Sequence, residues 1–560
     1  MLCKELFTEE HSNTLACKSV LASTYLASGK LQKAQTLYEE VFLRYKEVMG
    51  NQHPDTLKSM ANLALTYRCC GKLEEAEKLN SEVLLLQKEL IGEQHPATLT
   101  SMANLALVYW QCGKLDKAEK LEEEVVTYRK KVVGERDPST LSSMANLAAT
   151  YGQRGKLDRS EKLNEEVLFL CKEIMGEQHP GTLASMANLS ATYWQRGKLE
   201  EAEKLMEEVV VLRKQIIGEQ HPDTLTSMSN LAATYWQCSK LEEAEKLNEE
   251  VLSLRKQVVG EMHPDTLTSM ANLAATYRRH GKLDEAEKLG REALILSKQV
   301  IGEHHHDTLT YMANLALTYR QCGKLEDAEQ LSEELLLLYK IVDEEQNPNT
   351  LAVMAQLATI YWEQGNLERA EKLNESMFLL HKMVLGEEHL DTLNSMAILA
   401  STYVHRRKLE EAEKLMEKVF WLRKNIIGEQ HPDTLASMGN LAATYWQHGK
   451  LVEAEKLTKE VVLLRKKVIG EQHPSTLTSM VNLAGMHRQR GNLEDAEKLM
   501  EDVVLLRKQV IGKQHPITLT TMANLAALYR QSGKLEGAEK LMEEVALLRK
   551  QVSEEQHPNI

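Results

Sequence analysis

Ten asparagines share one phase of a 42-residue spacing in this 560-residue chain: Asn62, Asn104, Asn146, Asn188, Asn230, Asn272, Asn314, Asn440, Asn482 and Asn524, with Gln356 and Ile398 as the exceptions. A side-chain amide carries both a donor and an acceptor, which match the two groups an extended peptide backbone offers. Asparagine is a mediocre helix former, so a fixed place in the middle of a helical segment needs a reason. At ~100° per residue, Thr226, Ala233 and Gln237 lie within about 60° of Asn230, and the apolar set centred on Met228 lies roughly opposite. The stripe points away from its own unit's core and is expected to contact a bound peptide. The same phase also suits asparagines that satisfy the neighbouring unit, or that duplication has simply copied.

A second pattern follows the recurrent tyrosine. The next residue is Trp110, Trp194, Trp236, Trp362 or Trp446 in five units and Arg68, Arg278, Arg320, Arg488 or Arg530 in five others. This phase flanks the asparagine stripe by about 100°. Trp and Arg are common binding anchors. An alternating series could hold an extended ligand, with Arg pairing carboxylates and Trp packing aromatic rings. Equally, rings and guanidinium stems could cover the neighbouring helix.

Other chemistry fits poorly. Twelve methionines, from Met60 to Met522, sit at core spacing and read as packing. Twelve of the 19 histidines, such as His53, His95 and His221, sit at the junction between units. Zinc needs ligands within about 2.1 Å of one ion, whereas packed helices lie about 8–10 Å apart. One His per unit therefore points to capping, and neither metal nor cofactor is expected, the run His304–His306 being the one candidate for adventitious metal. The glutamates are expected on solvated second-helix faces. The segment GKLEEAEK lacks the upstream glycine and following Ser/Thr of a phosphate loop. With no nucleophile elbow, zinc-protease helix or kinase set, the chain does not read as an enzyme.

The elements that position these residues follow from the punctuation. All 11 prolines occupy one phase of the 42-residue period, and 22 of the 28 glycines occupy two others. Such regularity excludes a string of unrelated globular domains and indicates one unit copied many times. Thirteen complete units run from His11 to residue 556 without insertion; residues 1–10 fit the tail of a preceding unit and 557–560 open another. The chain is thus expected to be a piece of a longer array. In the unit starting at His221, Pro222 suits a first helical turn and Asp223 complements the positive helix end. Leu225, Met228, Leu231, Ala232 and Tyr235 share one face. A stop near Ser239, Gly in eleven of the thirteen units, predicts a left-handed C-cap. A second helix runs through Leu241, Ala244, Leu247, Val251, Leu254 and Val258, with Glu242 and Lys246 placed to pair, and Gly260 closes it. Two helices cannot bury such stripes alone, so stacking is required and the fold class is all-α, an α-solenoid. Units 305–430 diverge together: His306 and Leu390 replace Pro, Arg407 replaces Gly, and Asp343–Glu344 interrupts a stop.

Charge and cysteine set the remaining bounds. The net charge of −14, with no isolated Lys/Arg block, argues against nucleic acid as a partner. No apolar run approaches the ~20 residues of a membrane span. The eight cysteines sit mostly where other units carry Arg, Gln or His, which suits a reducing, cytoplasmic setting.

Leu273, Ala274 and Tyr277, then Gly281, then Leu283 and Ala286 have a spacing similar to that of the tetratricopeptide repeat. The 42-residue period and the HPDTL…MANLA…Y…GKL.EAEKL pattern resemble the repeats of kinesin light chains and nephrocystin-type relatives. The resemblance implies a right-handed superhelix whose first helices line a concave groove, with the asparagine phase facing a peptide. It implies a non-catalytic scaffold for protein partners, and the Trp/Arg phase adds the expectation of ligand segments that combine aromatic and acidic residues. Two alternatives share the fold: the sensing array of a larger NTPase signalling protein, and a cargo adaptor for a microtubule motor. The second needs a heptad coiled coil outside these residues.

Overall fold

The computed structural model describes residues 12–28, 30–342 and 348–556; the expected fragments at 1–10 and 557–560, and the Asp343–Glu344 interruption, lie outside the described residues. Each helix starts and stops for a local reason. His221 is extended at φ −69° and ψ 138°, and its Nδ1 accepts a hydrogen bond from the backbone N–H of Asp223 at 3.2 Å. Pro222 then opens the helix Pro222–Gln237 without wasting an N–H. At its far end the Lys240 N–H donates to the Tyr235 carbonyl at 2.9 Å, closing a left-handed cap. Glycine fills that position in most units, but Ser239 and Arg407 adopt φ 60° and 62°.

The second helix of this unit is Leu241–Val258. Among the described residues the pattern yields 26 helices and no strand. Helices pack on their chain neighbours up to Pro264–Arg279 and again from His306–Gln321, forming an α-solenoid. The missing prolines cost no helix: His306–Gln321 and Leu390–His405 form, capped by His305 and His389.

The contacts divide the chain into two compact units, up to Leu289 and from Gly290. In the first, Met186, Met206, Val209, Leu225, Met228 and Val251 form one apolar layer spanning two repeats. In the second, Met500, Val504, Met522 and Val545 do the same. Burying each such side chain contributes about 1.5–3 kcal/mol, so within each unit these repeats depend on their neighbours. Met60, Met102, Met144 and Met228 are buried, as their core spacing requires.

Three expectations need correction. Val258 continues the apolar stripe in sequence but is 40% exposed, at the last residue of its helix. Glu242 and Lys246 do not pair; the one-turn pairing forms instead at Glu368–Lys372, Glu494–Lys498 and Glu536–Lys540. The glutamates are not uniformly solvated, since Glu119, Glu161, Glu371, Glu455 and Glu497 are buried. Glu119 accepts hydrogen bonds from Arg154 Nη1 and Lys156 Nζ, each at 2.6 Å, in the turn of the following repeat. Burial opposes its charge, yet the two cations outweigh burial and hold the carboxyl below its usual range. These carboxylates tie one repeat to the next.

Candidate ligand-binding face

The first helices carry the asparagine phase, and successive first helices approach one another: Pro54–Cys69 touches Pro96–Gln111, and Pro138–Gln153 touches Pro180–Gln195. In the unit up to Leu289, Asn104, Asn146, Asn188, Asn230 and Asn272 are exposed and Asn62 is half-buried. In the unit from Gly290, Asn440, Asn482 and Asn524 are exposed and Asn314 is half-buried. Their backbone carbonyls are engaged, as where Asn230 O accepts from Thr234 Oγ1 at 3.0 Å and Asn272 O from Thr276 Oγ1 at 2.9 Å. Among the described residues, the ladder's side-chain amides make no hydrogen bond within the chain. Helix geometry thus sets a row of donors and acceptors facing solvent, and the neighbouring repeat does not use them.

Four of the singled-out residues meet in one hollow. Trp194, Trp236, Gln237 and Asn272 line an open cavity of about 230 Å³ together with Ala232, Ala233 and Ala275. Small residues there leave room between the two indoles. Trp194 is 39% exposed at its rim. The Trp236 indole N–H is buried and has no hydrogen-bond partner, although buried donors are normally satisfied. Asn188 and Asn230 are not among the lining residues.

The Trp/Arg phase makes contacts inside the chain. The Arg279 guanidinium lies 3.9 Å from the Trp236 ring centroid. Arg320 donates to Glu363 at 2.9 Å, and the Trp446 indole N–H donates to Gln489. In each case the partner lies one residue further on in the next first helix. Trp110 and Arg278 are half-buried in the same phase. These side chains therefore brace adjacent first helices while their outer edges border the asparagine row.

Sequence reasoning missed three features that hold this face in place. A buried threonine follows each junction; Thr224 Oγ1 donates to the Gly218 carbonyl at 2.8 Å and Thr266 Oγ1 to Gly260 at 2.7 Å. The recurrent tyrosine donates across repeats, Tyr235 OH to Glu207 at 2.7 Å and Tyr277 OH to Glu249 at 2.7 Å. Burial, reinforced by the adjacent carboxylates, pushes these phenols well above their ordinary range. Third, an arginine reaches from the second helix to the next first helix: Arg255 Nη1 donates to Asp265 O and Ser269 Oγ, both at 2.8 Å. The visible signal was the recurrence of Arg with Ser fourteen residues later, as in Arg129–Ser143, Arg213–Ser227 and Arg423–Ser437.

Among the described residues, no group of three or more His, Cys, Asp or Glu side chains could hold a metal ion, and no helix is long and apolar enough to cross a membrane. His305, from the three-histidine run, is a helix cap. Cys17, Cys69, Cys70, Cys112, Cys171, Cys238 and Cys322 are not in disulfides.

Comparison with known proteins matches the profile of the tetratricopeptide repeat in eleven overlapping segments, beginning with 13–69, 59–131 and 137–215 and ending with 449–504 and 475–551. No curated protein sequence matches the chain. Similar solved structures include a Podosopora anserina protein described as a kinesin light chain with nearly identical TPR-like repeats. It is 30% identical, with 37% of this chain and 97% of that one covered and a TM-score of 0.34. A point-substituted form of the same protein is 29% identical, covering 37% and 98%, with a TM-score of 0.34. BtubC (BKLC) from P. vanneervenii is 22% identical, covering 45% and 94%, with a TM-score of 0.33.

Proposed function

This chain belongs to the tetratricopeptide repeat family, and we propose that it is a non-catalytic scaffold that binds extended segments of protein partners along its first helices. The observation that carries this reading is the row of exposed side-chain amides without partners inside the chain. An extended backbone has unpaired N–H and C=O groups along its edge, and a row of amides can satisfy them without demanding one sequence. Specificity then falls to the borders. The hollow between Trp194 and Trp236 suits an aromatic side chain, and the arginines at the same phase, such as Arg278 and Arg320, suit neighbouring carboxylates. Partners of mixed aromatic and acidic character follow, in a cytoplasmic setting that keeps the cysteines reduced.

Photo-crosslinking tests this directly. A photoreactive amino acid replacing Ala233, which is exposed and lines the hollow, is expected to capture peptides selected against the protein from a random-sequence library. The same group replacing Glu242, on the second helix, is expected not to. Equal capture from both positions would rule out the first-helix face as the binding surface.

A further inference from the structure

The recurrent arginine that joins second helix to next first helix is absent from several repeats, where Tyr45, Gln87, Cys171, Ser297, Tyr339 and His381 stand in its place. Arg129 Nη1 donates to Ser139 O at 2.6 Å and Ser143 Oγ at 2.8 Å, and Nη2 reaches Thr100 Oγ1 at 3.4 Å. Arg213, Arg255 and Arg465 repeat the first two contacts in later units. One unit before Arg129 the same position is Gln87, whose side chain ends two bonds shorter than arginine's. The counterparts of Arg129's three partners are Ala97, Ser101 and Lys58, and all three line an open cavity of about 660 Å³ beside Gln87. Gln87 is only 9% exposed, and its Oε1 is buried with no hydrogen-bond partner. Leu57 and Ile91 supply apolar wall, and Asn104 of the asparagine row also lines the cavity.

We propose that this cavity is a socket for an arginine side chain carried by a partner protein. The sister repeats show what the hollow accommodates: a guanidinium whose N–H groups meet a helix carbonyl and a serine hydroxyl. In the Gln87 repeat the same carbonyl and hydroxyl are present, and the orphaned Gln87 oxygen adds a third acceptor. A guanidinium has enough donors in a fixed fork to satisfy all three, which an ammonium does less well and a neutral isostere does only without the assistance of charge. The apolar wall accepts the arginine's methylene stem. The chain's net charge of −14 favours approach of a cation. Lys58 works against it, standing where the Arg129 socket has the neutral Thr100. The socket is independent of whether the asparagine row binds peptide backbone, since it rests on the arginine contacts alone.

The test is calorimetric titration of the full chain with the capped tripeptide Ac-Ala-Arg-Ala-NH2 and its citrulline, lysine and norleucine versions. The arginine peptide is expected to bind at one site about tenfold or more tighter than the citrulline peptide, the neutral isostere. Gln87→Arg fills the socket with the chain's own side chain, as its sisters do, and is expected to abolish that binding. Lys58→Thr is expected to strengthen it several-fold. Asn188→Ala/Asn230→Ala/Asn272→Ala is expected to leave it unchanged, which separates the socket from the asparagine row. Equal binding of the citrulline or norleucine peptide, binding that survives Gln87→Arg, or no binding to either the native chain or Lys58→Thr would each overturn the proposal.

Discussion

Arg255 Nη1 donates to Ser269 Oγ at 2.8 Å from fourteen residues away, joining the second helix of one repeat to the first helix of the next. The pair is buried, and the same guanidinium also reaches the Asp265 carbonyl. In a solenoid, stability is a sum of repeat terms and neighbour terms. A side chain that crosses the boundary therefore sets how firmly each first helix is held, and so how rigid the face it carries can be.

Arg255→Met keeps most of the stem and removes the charge-assisted hydrogen bonds. A local loss of about 2–3 kcal/mol is expected, because the buried Ser269 hydroxyl loses its charged donor and the Asp265 carbonyl keeps only its bonds within the helix. Amide hydrogen exchange should show weakened protection concentrated in Pro264–Arg279. Uniform weakening across the chain, or none, would count against the arginine as a boundary tie.

Glu122 predicts a pH dependence. It sits, 5% exposed, in a phase where other repeats bury Asn164, Asn248 and Asn374. Burial pushes its carboxyl from 4.5 up to about 7. A raised acid is favourable while protonated, so its contribution is fully present below about 4.5 and is lost as pH rises through about 7. Glu122→Gln is therefore expected to be more stable than the native chain at pH 8 by ~2–4 kcal/mol. The gap should shrink towards pH 5, as read from urea unfolding at each pH. A gap independent of pH would contradict the assignment.

Ser239 and Arg407 hold the left-handed stop that glycine holds elsewhere. Ser239→Gly and Arg407→Gly are each expected to stabilise the chain by about 0.5–1.5 kcal/mol, by relieving the strain on a side-chain-bearing residue. Thermal unfolding would show it as a higher midpoint. A lower midpoint would mean that their side chains make a compensating contact.

The helix caps give a paired comparison. Asp137 already occupies the histidine position and accepts from the Ser139 N–H at 2.8 Å. His221→Asp should thus be tolerated, while His221→Ala should cost about 1 kcal/mol by leaving the first N–H groups unpaired. Circular dichroism during urea unfolding would separate the two.

The fold was legible in the sequence because its signals are local and repeated. Pro222, the stop at Ser239 and the Met228 face each act within one helix, and copying multiplies them. The wiring between repeats was not legible. Whether Glu119 is solvated or clasped depends on Arg154 and Lys156, 35 and 37 residues on, meeting it across a repeat boundary. The asparagine stripe was placed correctly on the outward face by helical angles alone. For the Trp/Arg phase the sequence left ligand contact and cover of the neighbouring helix open, because a ring such as that of Trp236 can pack on Arg279 and border a hollow at once.

The central claim is that side-chain amides on the first helices bind peptide backbone. The most direct measurement is the affinity of one library-selected peptide for the native chain and for Asn188→Ala/Asn230→Ala/Asn272→Ala. Alanine is the stronger helix former, so the variant should stay folded, which circular dichroism checks. Loss of three such contacts is expected to weaken binding about a hundredfold, at roughly 1 kcal/mol each. An unchanged affinity in the folded variant would contradict the account.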